Sequence, residues 1–140
     1  MALREAEIAM EEDEVPVGCV LVKGERLLGR AHNQTERLLD PTAHAEMLAI
    51  TQATSALGEA RLGGCELFVT LEPCFMCAGA AVLARLDRVV FGARDPKFGA
   101  CGSLWTLPED ERLNHRLTLM GGVLEKESAE LLKAFFQGRR

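Results

Sequence analysis

The sequence lacks any long hydrophobic run, any low-complexity tract and any internal repeat. Its apolar stretches last only a few residues, far short of the roughly 20 apolar residues that a transmembrane helix needs. Residues 1–14 hold six acids and one arginine, where a secretory leader has a basic region followed by an apolar one. We therefore expect neither a membrane span nor a signal peptide.

The chain also lacks a surplus of positive charge, which at first argues against a nucleic-acid partner. Sixteen Lys and Arg face 21 Asp and Glu, a net charge of -5. Residues 1–14 alone account for that -5, so residues 15–140 sum to zero. Residues 85–97 carry four cations and two acids, and residues 133–140 carry three cations and no acid. Because positive charge is concentrated locally, the net charge excludes no class of partner.

The cysteine count does not suit a disulfide framework, because five is an odd number and the chain can fold without cross-links. At 140 residues and 48% hydrophobic composition, one domain can bury roughly 70% of its unfolded surface. We expect a single domain over residues 1–140 in a reducing, cytoplasmic setting, with thiols that are buried or bind metal. The cysteines are Cys19, Cys65, Cys74, Cys77 and Cys101.

Hydrophobic periodicity predicts four helices and five strands. The helices are expected at residues 2–10, 43–57, 73–85 and 125–137. The strands are expected at residues 15–22, 26–33, 66–70, 88–91 and 117–120, the first two forming a hairpin. Asp40-Pro41-Thr42 supplies an N-cap and an early proline for the second helix. This order of elements predicts an α/β fold layered around a mixed sheet.

Two short segments, each at the predicted start of a helix, carry the residue types of a metal site. Cys74 and Cys77 are three apart, so both thiols face the same way in a first helical turn. The positive end of the helix favours the thiolate, which is the form that binds metal. His44 can supply a third ligand. One imidazole and two thiolates suit zinc, and three protein ligands leave a fourth position for water, as in catalytic sites.

Glu46 lies two residues after His44 and indicates that the site performs proton transfer. Zinc lowers the pKa of its bound water from near 16 to about 7, and a nearby carboxylate that does not bind the metal can carry the proton. Residues two apart inside a helix point to opposite sides. His44 and Glu46 can therefore share a site only if it lies beyond the helix end.

Other interpretations of these residues remain open from the sequence. A Cys-x-x-Cys pair alone can be a redox pair or two buried thiols. A four-ligand structural zinc would need a further ligand with suitable spacing, and no other Cys or His has it. A structural zinc would also have no use for an unliganded Glu46. Residues without ligand spacing are interpreted as core or surface residues: Cys19, Cys65, Cys101, His32 and His115.

The combination of His-x-Glu at residues 44–46 with Pro-Cys-x-x-Cys at residues 73–77 resembles the zinc-dependent cytidine deaminase superfamily. Further stretches, covering nearly the whole chain, resemble its bacterial tRNA-specific adenosine deaminase family. The most specific of these is Val-Val-Phe-Gly-Ala-Arg-Asp at residues 89–95, with Gly-Ser-Leu at 102–104. Others lie at residues 14–18, 40–46, 70–74 and 114–116, and in the Phe135-Phe136 tail. Family members usually have a longer first helix, so the resemblance implies either a late start at Met1 or a trimmed chain.

The resemblance implies a three-layer α/β/α cytidine-deaminase-like fold with a central mixed five-stranded sheet. It implies that His44, Cys74 and Cys77 bind one zinc per subunit and that Glu46 shuttles the proton. Asn33 and the backbone at Ala45 would contact the target base, and Asp95 would lie by the ribose of a neighbouring nucleotide. The RNA-binding candidates, taken from local charge, are Arg94, Lys97, Arg139 and Arg140.

The activity implied is the hydrolytic deamination of adenosine to inosine at the wobble position of an arginine tRNA anticodon. An unpaired anticodon loop suits such chemistry because its bases are easily splayed into a pocket. The resemblance also implies a homodimer. Two alternatives stay open: a deaminase of a free base or nucleoside such as guanine, cytidine, dCMP or a riboflavin precursor, and a non-catalytic zinc-containing RNA-binding module.

Phe135 and Phe136 are expected to be core residues.

Overall fold

The computed structural model describes residues 1–139. Within that range the α-helices are α1 (Ala2–Glu11), α2 (Ala45–Leu57), α3 (Phe75–Leu83) and α4 (Glu125–Gln137). The strands are β1 (Gly18–Lys23), β2 (Arg26–His32), β3 (Cys65–Leu71), β4 (Arg88–Ala93) and β5 (Thr118–Met120). A short 3-10 helix covers Leu107–Glu109. None of the helices described combines the length and apolar content needed to cross a membrane.

The five strands form one mixed sheet in the order β2-β1-β3-β4-β5. Strand β1 runs antiparallel to both β2 and β3, whereas β3, β4 and β5 are parallel to one another. The central strands are the most apolar, and Leu21, Leu67 and Phe91 are almost completely buried there. Burial of each such side chain contributes roughly 1.5–3 kcal/mol to folding. The predicted mixed five-stranded sheet is confirmed.

The helices cover both faces of this sheet. Helices α1 and α4 pack against each other and against one face, while α2 and α3 form the opposite layer. Helix α2 lies close to β2 because small residues meet there: a Cβ added at Gly29 would lie 2.7 Å from the carbonyl oxygen of Ala49. The three-layer α/β/α arrangement expected from the sequence is confirmed.

The start of the second helix was predicted two residues too early. Asp40 does not cap α2, because its Oδ1 accepts hydrogen bonds from the backbone nitrogen of Thr42 at 2.8 Å and from the Thr42 hydroxyl at 2.7 Å. These bonds close a local turn, a structure that Asp readily forms. His44 is the N-cap residue instead, with an extended backbone at ψ 152°. Its side chain is therefore outside the regular helix.

Two other boundaries differ for reasons of backbone geometry. The third helix ends at Leu83 rather than residue 85, since Arg85 adopts a left-handed conformation at φ 64°. The first strand begins at Gly18 rather than residue 15, because Pro16 has no N–H to donate and the Val17 nitrogen donates to the carbonyl oxygen of Val15 at 2.8 Å. Gly18 is required at that position, because an added Cβ would lie 2.2 Å from the carbonyl oxygen of Ala2 in α1.

Candidate metal centre and active site

The candidate site lies at the carboxyl ends of β3 and β4, where ligands bind in open α/β sheets. The N-termini of α2 and α3 meet there. His44 is the N-cap of α2, Cys74 is the N-cap of α3, and Cys77 lies in the first turn of α3. Their side chains therefore converge from two helix ends on one point.

The three predicted ligands fit a zinc ion in their chemistry and in their spacing. The Nδ1 atom of His44 is 3.6 Å from Sγ of Cys74 and 3.5 Å from Sγ of Cys77. Tetrahedral coordination with ordinary zinc–sulfur and zinc–nitrogen distances places such ligand atoms roughly 3.5 Å apart. All three ligand atoms lie within 4.8 Å of one another, and residues 1–139 contain no other group of three or more such ligands this close together.

The electrostatics of this group favour a thiolate. A hydrogen bond from the Cys77 thiol, assisted by one from His44, lowers the pKa of Cys74 to about 4. The same interaction raises the pKa of Cys77, which is also buried. The hydrogen bond with Cys74 in turn raises the pKa of His44. A metal takes the thiolate form of cysteine and the neutral form of histidine, so its binding here would displace protons.

Glu46 lies in the first turn of α2 and is only 4% exposed. Burial raises the pKa of its carboxyl group, because an apolar environment disfavours the charged form. The extended backbone at His44 lets both side chains face the same cavity, although they are two residues apart. The site therefore lies beyond the N-terminal end of α2, as His44 and Glu46 require if they are to share it.

A cavity of about 510 Å³ opens beside these residues. The three predicted substrate residues, Asn33, Ala45 and Asp95, all line it together with Glu46. Asn33 is 7% exposed, and its backbone nitrogen donates a hydrogen bond to the carbonyl oxygen of Val17 at 3.0 Å. The apolar part of the wall comprises Val15, Val17, Pro41, Leu71, Phe75, Met76 and Phe98.

Three of the four RNA-binding candidates are described by the structure; they do not line the cavity and lie in two places. Arg94 and Lys97 are exposed in the loop that follows β4, and the Arg94 guanidinium lies 5.5 Å from the centre of the Phe91 ring. Arg139 instead contacts the turn that follows α1, where its Nη2 donates a hydrogen bond to the carbonyl oxygen of Asp13 at 2.7 Å. Arg140 lies outside the described residues.

The C-terminal phenylalanines differ from each other. Phe135 is 8% exposed and belongs to the core, whereas Phe136 is 54% exposed. The expectation of two core residues is therefore wrong for Phe136. On an amphipathic helix, consecutive residues lie about 100° apart, so both cannot face the sheet.

Two buried glutamates beside the cavity were missed by reasoning from the sequence. Glu72 accepts hydrogen bonds from the backbone nitrogens of Asp95, Cys101 and Ser103, each at 3.0 Å, and from the Ser103 hydroxyl. Burial works to raise the pKa of Glu72, but these bonds outweigh it and lower the pKa. Glu14 accepts from the backbone nitrogens of Glu36 at 3.1 Å and Arg37 at 2.7 Å.

A signal for Glu72 was present in the sequence. The residue directly follows the buried strand β3 and precedes Pro73 and Cys74. Its position therefore predicts a charged side chain in an apolar region. Only its bonding partners, which lie 23 to 31 residues later, could not be predicted from spacing.

Comparison with known proteins agrees with this geometry. A family model described as MafB19-like deaminase matches residues 1–140. The chain is 52% identical to the tRNA-specific adenosine deaminase of Bacillus subtilis (strain 168) over 139 residues, which are 99% of this chain and 86% of the relative. The chain belongs to the tRNA-specific adenosine deaminase family.

Two further matches support the assignment of this chain to the deaminase family. The tRNA-specific adenosine deaminase of Aquifex aeolicus (strain VF5) is 49% identical and covers 100% of this chain and 92% of its own length. A structure solved in a study of A-to-I editing by tRNA:A34 deaminases at the wobble position of transfer RNA superimposes with a TM-score of 0.90. It is 48% identical and covers 94% of the deaminase and 95% of its own chain.

Proposed function

We propose that this chain is a zinc-dependent hydrolase that converts adenosine to inosine at the wobble position of an arginine tRNA anticodon in the cytoplasm. The observation that carries the proposal is one cavity that joins a zinc-type ligand group to a buried carboxylate. The relatives named tRNA-specific adenosine deaminases support tRNA as the substrate.

Glu46 is the proton carrier of the proposed reaction, in which adenosine and water yield inosine and ammonia. His44, Cys74 and Cys77 would hold zinc, which when bound supplies Lewis acidity that activates water. With its raised pKa, the Glu46 carboxyl can both take a proton from the attacking water and return it. It delivers one proton to the ring nitrogen next to the carbon that water attacks, and then one proton to the departing ammonia.

The polar groups of the cavity suit recognition of a purine. Within residues 1–139 the Asn33 side chain makes no hydrogen bond, so its amide is available to the edge of a base. The backbone nitrogen of Ala45 lies in the first turn of α2, where such groups have no partner within the helix. A cavity of about 510 Å³ lies within the usual range for small-molecule sites.

We expect Asp95 to contact the ribose of a neighbouring nucleotide. Its Oδ1 accepts hydrogen bonds from the backbone nitrogens of Lys97 at 3.0 Å and Phe98 at 3.2 Å. These bonds hold the side chain at the cavity wall while Oδ2 can accept from a ribose hydroxyl. Arg94 and Lys97 lie beside it and would contact phosphates of the anticodon loop.

We also infer a homodimer from an apolar patch next to the cavity. Phe75 is 58% exposed and Leu83, two helical turns later on α3, is 80% exposed. The Trp105 ring meets the Phe75 ring edge-on at 6.3 Å between centroids. Exposed apolar patches of this kind mark interaction sites. A second copy of the chain would bury these residues and place its surface close to the bound RNA.

The proposal is tested by incubating the purified protein with a mixed tRNA pool and detecting inosine by sequencing. We expect inosine at the first anticodon position of an arginine tRNA. Ammonia release measured with guanine, cytidine, dCMP and a riboflavin precursor covers the small-molecule alternative. Activity only on those compounds would replace tRNA as the substrate, and no activity at all would favour a binding module.

The metal assignment has its own matched pair of variants. Cys77→Ala removes a proposed ligand, whereas Cys65→Ala removes a buried thiol at the start of β3, away from the ligand group. Metal analysis of the purified proteins should show one zinc per chain in the wild type and in Cys65→Ala, and none in Cys77→Ala. Equal zinc content in all three would refute the ligand set.

A further inference from the structure

Glu72 is a buried carboxylate that the proposed reaction does not use. It is 2% exposed, and each of its oxygens has two donors. Oε1 accepts from the backbone nitrogen of Asp95 and from the Ser103 hydroxyl, while Oε2 accepts from the backbone nitrogens of Cys101 and Ser103. All four donors belong to residues 95–103, so one carboxylate organises this whole loop.

The same loop is joined to the segment that carries a metal ligand. The backbone nitrogen of Ala100 donates to the carbonyl oxygen of Pro73 at 2.9 Å, and Cys74 forms an isolated antiparallel bridge with Gly99. Gly99 permits this close approach, because an added Cβ would lie 2.3 Å from Oε2 of Glu72. The loop therefore wraps around the carboxylate and cannot move without breaking these contacts.

We propose that Glu72 is a positioning residue that holds loop 95–103 against the metal-ligand segment and so sets where Asp95 and Phe98 meet the RNA. Both residues line the cavity, and the backbone of Asp95 is bonded directly to Glu72. Glu72 would act on substrate binding without touching the substrate. This inference rests on the proposed function.

Glu72→Gln tests the proposal with a defined geometric consequence. An amide nitrogen opposite Cys101 and Ser103 would face two backbone N–H donors, which it cannot accept from. It fits better at the Oε1 position, where the Ser103 hydroxyl can accept a hydrogen bond. In that orientation the N–H of Asp95 loses its acceptor, while the other backbone bonds remain.

Steady-state kinetics on an anticodon stem-loop should then separate positioning from general damage. Loss of one bond to a charged group predicts that KM rises roughly tenfold while kcat changes less than about twofold. Partial unfolding would instead lower the apparent kcat at unchanged KM. Glu66→Gln is the matched control, since Glu66 lies on β3 outside the cavity, and we expect unchanged KM.

Amide hydrogen exchange by NMR gives a readout that does not depend on activity. In Glu72→Gln the Asp95 amide should lose protection, while the Cys101 and Ser103 amides keep it. If Glu72→Gln fails to fold, Glu72→Asp serves instead, because its carboxylate is one methylene shorter and retreats from the loop. Unchanged KM together with unchanged Asp95 protection would overturn the proposal. An inactive wild type would refute the proposed function, yet the exchange data would still decide whether Glu72 holds the loop.

Discussion

Glu46 and Glu72 line the same cavity and are both buried, yet their pKa values are shifted in opposite directions. Burial dominates at Glu46 and raises its pKa, whereas hydrogen bonds outweigh burial at Glu72 and lower its pKa. The two side chains are 4% and 2% exposed, so the extent of burial does not distinguish them.

The difference lies in how many fixed donors each carboxylate faces. Glu72 has three backbone N–H groups and one hydroxyl, which stabilise its charged form. Glu46 lacks such a set within the described residues and can change its charge. Carboxylates with opposed environments in one site indicate a division of roles, which agrees with the proton transfer proposed for Glu46 and the loop positioning proposed for Glu72.

The largest expected effect comes from removing the proposed proton carrier. Glu46→Gln keeps the size of the side chain but cannot exchange a proton, so kcat should fall by about 10²- to 10⁴-fold. KM and zinc content should stay at wild-type values, measured by inosine formation and metal analysis. A Glu46→Gln enzyme that retains its kcat would show that Glu46 is not the proton carrier.

Asn33 is a third buried polar residue at the cavity, and its side chain has no hydrogen-bond partner among the described residues. Asn33→Ala would leave a base edge unpaired in the cavity, so kcat/KM should fall roughly tenfold to hundredfold. The free energy of unfolding should hardly change, because no bond within the protein is lost. A large drop in stability with normal kcat/KM would assign Asn33 a structural role.

Gly99→Ala disturbs the packing around Glu72 without changing any charge. The added Cβ would lie 2.3 Å from Oε2 of Glu72 and 2.5 Å from the carbonyl oxygen of Asp95. We expect the free energy of unfolding to fall by about 1–3 kcal/mol in denaturant titrations. Gly63→Ala is the control, since nothing lies within 4 Å of its added Cβ. Equal stability of the two variants would mean that loop 95–103 is not tightly held.

Asp110 shows what a lowered pKa means at the surface. Its pairing with Arg112 lowers the pKa of Asp110 to about 2. Any resulting stabilisation is present above the ordinary value of 3.8 and is lost as pH falls through about 2. Solvent screening should keep it too small to shift the unfolding midpoint. NMR titration should show a higher Asp110 pKa in Arg112→Ala, and an unchanged value would reject this pairing.

The sequence predicted the elements and the ligand group because both depend on local patterns. Periodicity placed every α-helix and strand within a few residues but not the short 3-10 helix, and His44, Cys74 and Cys77 stood at predicted helix starts. The fourth helix was predicted with its observed bounds, Glu125–Gln137. Motif spacing could place the ligands together because each depends mainly on the end of a single helix.

What escaped prediction depends on contacts between distant parts of the chain. The partners of Glu72 lie on a loop whose path is set by β4 and by Gly99, neither of which spacing reveals. The turn at Asp40 competes with helix capping, and the sequence alone does not show which one Asp40 makes. Arg139 had a favourable local charge, but its contact with Asp13 spans 126 residues.

The most direct test of the division between Glu46 and Glu72 is a single-turnover deamination assay with enzyme in saturating excess over an anticodon stem-loop. Saturation removes the effect of weak binding, so Glu72→Gln should recover the wild-type rate. Glu46→Gln should remain slow at every enzyme concentration, because its defect is in the chemical step. A Glu72→Gln enzyme that stays slow at saturation, or a Glu46→Gln enzyme that reaches the wild-type rate, would contradict the account.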